Sequence, residues 1–191
     1  DARLLHLTSC SGIALFPGSE ADADGVMQQA GAALLEAKQR GRGYARFYRS
    51  GMLSAARRRL ELEEELRQAI RSGELHPVFQ PIWNLSDGRL VSFETLARWH
   101  HPERGPISPG EFIPLAENSG LIHDLGAWIL ERAVALLARS GDGDPDRLPR
   151  GVTVNISPAQ FSREGFIDEV VACLDRWGAP GNRLKLEITE N

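Results

Sequence analysis

The chain has 191 residues, 42% of them hydrophobic and 25% charged, with a net charge of −4. That is one full domain or parts of two, with the balance of an ordinary globular protein. The mild acidic excess argues against polymeric nucleic acid as a partner, and no apolar run reaches the ~20 residues a membrane-spanning helix needs.

Taken in chain order, the first 50 residues read as a β-α-β tail. "SGIALFP" is a strand stopped by Pro17 and Gly18, an Ala-rich helix runs from about Asp22 to the Gly41 and Gly43 punctuation, and "YARFY" (44–48) is a second short strand. So small a piece cannot hold a core alone and is expected to complete something upstream. Residues 51–72 form a charged linker helix. Leu60, Leu62, Leu66 and Ile70 give it an incomplete apolar stripe, and Arg57–Glu61 and Arg59–Glu63 stand at i,i+4 spacing. Only Gly73 and Glu74 separate this helix from the next strand, so it is expected to couple the two parts mechanically, burying its stripe against a neighbour or a second copy.

From residue 73 the pattern is regular α/β. "LHPVFQPIWNL" is a strand, Ser86-Asp87-Gly88 turns the chain into "RLVSFETLARW", and a basic, proline-bearing loop containing His100-His101 follows. Ser108, Pro109 and Glu111 form a capping box that opens a helix, interrupted at Asn118-Ser119-Gly120. The next helix places Ile122, Leu125, Ile129, Ala133 and Leu136 on one face. "GVTVNIS" is a strand, and Ser157-Pro158 starts a helix with Ile167, Val170, Val171, Leu174 and Trp177 inward. "RLKLEIT" is the last strand. Alternating strands and helices indicate parallel βαβ units, in a doubly wound sheet or a partial (β/α) barrel of the TIM type. The two cysteines, Cys10 and Cys173, have no metal or redox spacing and read as buried thiols of a reducing cytoplasm. The chain opens without methionine or signal peptide and stops directly after a strand pattern, so the expectation is a cytoplasmic fragment, with any membrane anchor of its parent outside it.

Alternation within the strands separates two faces. Val152, Val154 and Ile156 oppose Thr153, Asn155 and Ser157; Leu184, Leu186 and Ile188 oppose Lys185, Glu187 and Thr189; Val91 and Phe93 oppose Ser92 and Glu94. The apolar face is for covering helices, and the polar face is the interior of a barrel near the strand ends where active sites sit. Glu94, Asn155 and Glu187 are its strongest oxygen donors, a hard set suited to Mg²⁺ or Mn²⁺. A carboxylate inside a β-forming run is costly unless something binds it. Each alone also fits a solvated strand end, and Asn155 alone a helix cap. The five histidines lack helical metal spacing.

"FETLARWHHPERGPISPGEFIPLAENSGLI", "VTVNISPAQF" and "LKLEITEN" resemble successive blocks of the EAL-domain family of cyclic di-GMP phosphodiesterases, in order and spacing, from about residue 75 onward. The signature triplet reads Glu94-Thr95-Leu96, with Thr in place of the family's Ala. The resemblance implies that Glu94, Asn155 and Glu187 bind the catalytic Mg²⁺ or Mn²⁺ ions, that Arg98 contacts a phosphate, and that Gln80 and Leu96 line the substrate pocket. The family's later aspartates, lysine and general base would lie beyond Asn191, so the fragment by itself is expected to be inactive. The tail "CSGIALFP…AALLEAKQRGRGYARF" is similar to the last third of a GGDEF diguanylate cyclase-like domain, departing at Cys10, Gly31, Leu35 and Gly43. The resemblance therefore implies residues 1–50 of a GGDEF-like domain, a 51–72 linker helix and 73–191 of an EAL domain. The intact parent, expected as a homodimer, would hydrolyse cyclic di-GMP to linear pGpG or, as the alternative, bind it as an inactive receptor.

Overall fold

The computed structural model describes residues 7–16, 22–139 and 151–188, and the chain divides into two compact units, residues 1–62 and 63–191. In the first unit, strand β1 (Ser11–Ile13) and strand β2 (Ala45–Phe47) pair in parallel across helix α1 (Ala23–Gln39). Asp22 caps α1, its carboxylate accepting from the Gly25 N–H at 2.8 Å. A Cβ at Gly12 would lie 2.1 Å from the Ala30 carbonyl oxygen, so glycine is what lets the helix backbone rest on the strand.

Helix α2 (Met52–Ser72) forms as the charge pattern predicts, but the division between units falls inside it, after Leu62. Leu66 and Ala69 are fully buried, which ties the last turns of the helix to the second unit. Leu60, expected in the apolar stripe, is exposed. Glu63 pairs with Arg67 at 3.5 Å, toward the C-terminal side rather than with Arg59.

The second unit is built on a five-stranded sheet of β3 (Leu75–Trp83), β4 (Leu90–His101), β5 (Gly105–Ile107), β6 (Val152–Ile156) and β7 (Leu184–Ile188). The order is β3-β4-β6-β7, with β5 beside the end of β4. β4, β6 and β7 run parallel, as the strand-helix alternation predicts, whereas β3 and β4 form an antiparallel hairpin. The short turn at Asn84–Arg89 leaves no length for a crossover, which decides that geometry.

Helices α3 (Pro109–Ser119), α4 (Ile122–Arg139) and α6 (Phe166–Trp177) follow in chain order, with the single turn α5 (Pro158–Phe161) before α6. Val152, Val154 and Ile156 pack with Ile129, Ala133 and Leu137 of α4 and Val170 of α6. The expected α4 stripe is shifted at its end, where Leu137 rather than Leu136 is fully buried. The helix expected after Ser157 is broken: Gly165 takes φ 81° between α5 and α6. That break resets the helical phase, so Phe166, Val170 and Cys173 point inward while Ile167 and Val171 are exposed.

Three smaller expectations also change. Ser108 caps α3 by accepting from the Gly110 N–H at 3.2 Å, without the reciprocal bond expected of Glu111, which is exposed. The reciprocal box instead stands at Ser157 and Gln160, at the start of α5. His101 is not a solvated loop residue: β4 continues through it to pair with β5. Its ring is buried against Trp99, its Nδ1 accepting the N–H groups of Glu103 and Arg104.

Both cysteines are free; Cys10 is half-buried and Cys173 buried. Burial and a 3.4 Å bond to Glu131 push the Cys173 thiol up to about 11. At Glu131, burial raises the carboxyl, but donation from Trp177 Nε1 at 2.8 Å, from Cys173 and from Arg176 outweighs it and holds the group below the usual range. Among the described residues no helix is long and apolar enough to cross a membrane.

Candidate functional site

The sheet of the second unit has one face under the helices and one turned away. Phe93 and Thr95 lie level with Val152 and Val154, and the same alternation puts Val152 and Val154 in the helix-covered core. The residues between them must face the other way. Register then builds a row across four strands: Gln80 opposite Glu94, Glu94 beside Thr153, and Asn155 beside Glu187.

Glu94 and Asn155, 61 residues apart in sequence, touch directly: the Asn155 amide donates to Glu94 Oε1 at 2.6 Å. Glu187 accepts from Lys185 Nζ at 2.5 Å along its own strand. All three oxygen donors expected from the sequence are therefore on one face, in adjacent strands, and partly exposed. Among the described residues no three His, Cys, Asp or Glu side chains converge to hold a metal, so the set is two carboxylates and an amide. That composition fits a hard divalent ion, and it offers no soft donor.

Leu96 and Arg98 continue the same face of β4 toward its end, opposite Val78 and His76 of β3. The Arg98 guanidinium is turned back to its own strand, donating to the Ala97 carbonyl at 2.9 Å. Beside Leu96, β4 and β6 part after the Thr95–Val154 pair and leave a cleft of about 260 Å³, lined among others by Asn155, Ile113 and Glu117. Strand ends that separate in this way are where open α/β sheets bind ligands. The sequence reading missed His76, Ile113 and Glu117. The parity of the β3–β4 hairpin identifies His76, but no periodicity marks α3 residues that reach a cleft.

The sequence model of the family described as "EAL domain" matches residues 63–191. The chain belongs to the EAL domain family. The match begins at the break between the two units, so the EAL part includes the last turns of α2. This EAL-domain chain is 37% identical over its full length to the cyclic di-GMP phosphodiesterase NbdA of Pseudomonas aeruginosa, spanning 24% of that protein. It is 36% identical over 187 residues, 98% of the chain, to the bifunctional diguanylate cyclase/cyclic di-GMP phosphodiesterase MucR of the same organism, spanning 27% of it. A solved structure of the MucR phosphodiesterase in complex with c-di-GMP superimposes with a TM-score of 0.64 at 37% identity, covering 69% of this chain and 52% of that one. The chain thus spans about a quarter of these curated relatives.

Proposed function

We propose that this chain contributes metal- and substrate-binding residues to the active site of a metal-dependent cyclic di-GMP phosphodiesterase, which opens the cyclic dinucleotide to linear pGpG. The observation that carries the reading is the row Gln80–Glu94–Asn155–Glu187, held on the face away from the helices by strand register. Its support from outside the chain is the activity carried in the names of NbdA and MucR and the ligand of the MucR structure.

In this reading Glu94, Asn155 and Glu187 supply oxygen donors to Mg²⁺ or Mn²⁺. Such ions, when bound, acidify a water and neutralise charge gathering on the phosphate. The Asn155 amide N–H is spent on Glu94, and its carbonyl oxygen is the atom that would meet an ion. Arg98 releases the Ala97 carbonyl and turns to clamp a phosphate oxygen, a charge-assisted exchange that favours the ligand. Leu96 and Gln80 shape the pocket beside it. Residues 1–50 are read as the end of a GGDEF-like domain that regulates this activity through α2.

The test uses the complete natural protein. Incubated with cyclic di-GMP and Mn²⁺ and followed by chromatography, it forms linear dinucleotide. Glu94→Gln, which keeps the shape and removes the charge, lowers the rate at least about a hundredfold. A Glu94→Gln protein as active as the wild type would refute the assignment, and tight binding without turnover would make the protein a receptor instead.

A further inference from the structure

On the polar strand face, Lys185 binds the proposed metal ligand Glu187 with a charge of its own. Leu184 and Leu186 pack against the helix core, and this fixes Lys185 and Glu187 on the opposite face. There the Lys185 ammonium lies 2.5 Å from Glu187 Oε1. Glu94 is held differently, by the neutral amide of Asn155. The two carboxylates together carry two negative charges, and the ammonium cancels one of them before any divalent ion arrives.

We infer that Lys185 is a positioning residue that sets the metal affinity of this site: it holds the Glu187 carboxylate in the metal-free protein and must yield it to the incoming ion. This rests on the reading of Glu187 as a metal ligand. The pair is well suited to exchange. Its side chains are 70% and 41% exposed, so the bond is a solvent-screened ion pair of small strength. A dication replaces it without leaving a buried charge behind. Once released, the ammonium stays tethered to the same strand two residues away, and its repulsion of the bound ion persists. Lys185 therefore keeps the site weaker than its oxygen donors alone would make it, and metal loading follows the divalent-ion concentration.

The experiment is calorimetric titration of the complete natural protein with Mn²⁺, with no substrate present. Lys185→Met tightens Mn²⁺ binding about tenfold, the size expected for removing a cation some ~5 Å from a dication in a wet site. Lys185→Arg, which keeps the charge, stays within about threefold of the wild type on the same screened electrostatics. Thermal unfolding without metal moves little in either variant, since an exposed pair contributes little to the fold. Unchanged or weaker binding by Lys185→Met overturns the inference while leaving the metal reading in place. If wild-type binding is absent, or is the same in Glu94→Gln and Glu187→Gln, the metal reading itself fails and this inference with it.

Discussion

Thr95 occupies the middle of the signature triplet with a hydroxyl that finds no partner among the described residues. The residue is 2% exposed, and its Oγ1 is buried with no hydrogen-bond partner among the described residues. It sits on the helix-covered face of β4, level with Val154, and borders the cleft with Leu125 and Ile129. An unsatisfied buried hydroxyl costs about 1–3 kcal/mol. Replacing it with a methyl in Thr95→Val also gains up to about 0.8 kcal/mol of apolar burial. The substitution keeps the branched shape, and so adds no clash. Thr95→Val therefore stabilises the fold by about 1–2 kcal/mol after partial relaxation is allowed for, with a melting temperature about 2–8 °C higher. Thr95→Ser keeps the hydroxyl, loses the methyl and destabilises by about 1 kcal/mol. Urea unfolding of the wild type and both variants, with m-values compared, measures the order. If valine is no more stable than threonine, the hydroxyl is satisfied in solution and the reasoning fails. Mn²⁺ affinity should not move, because Glu94 and Leu96 project to the other side of the sheet.

Two further outcomes test the packing. A Cβ at Gly126 would lie 1.7 Å from Gln160 Nε2, so Gly126→Ala forces Gln160 to turn and breaks its bond to the Ser157 N–H. We expect about 2–3 kcal/mol of destabilisation and a melting temperature ~5–10 °C lower, and a drop under about 2 °C would show that the side chain moves freely. Cys173, with its thiol raised to about 11, should resist iodoacetamide in the folded protein at pH 8 and react on unfolding, while Cys10 reacts first. Because its folded-state pKa lies above its unfolded one, its contribution to stability is complete below about pH 9 and fades as pH rises through about 11. Labelling of folded Cys173 as fast as an unfolded cysteine would contradict the burial.

The parts of the site that were legible in the sequence were those written in strand alternation. Val152, Val154 and Ile156 must face helices, so Asn155 cannot, and the same parity places Glu187 and Glu94. Two features were not legible, each for a physical reason. The continuation of β4 through His101 depends on long-range pairing with β5, and the local Pro and Gly residues read as a loop. The phase of α6 depends on one glycine at positive φ, which shifts which apolar residues point inward by a single position. The antiparallel hairpin was legible in the turn at Ser86-Asp87-Gly88, too short for a crossover, although strand-helix alternation taken alone points to parallel pairing.

Glu94 and Thr95 are neighbours that break the rules of a strand in opposite ways, and the difference bears on function. Side chains alternate, so a register slip of one residue would bring the Glu94 carboxylate under the helices and the Thr95 hydroxyl out to the polar face. The register seen keeps the carboxylate on the open face, where Asn155 already donates to it and an ion could take the rest of its charge. The cost of Glu94 is thus answered by the site that needs it. Thr95 has no such answer among the described residues: its hydroxyl is unbonded and its cost falls on the core beside the cleft. A polar residue that opposes the fold and is bonded by a neighbour across strands, as Glu94 is by Asn155, is the stronger pointer to a site. On that distinction the proposed site takes Glu94, and Thr95 stands at the border of its cleft.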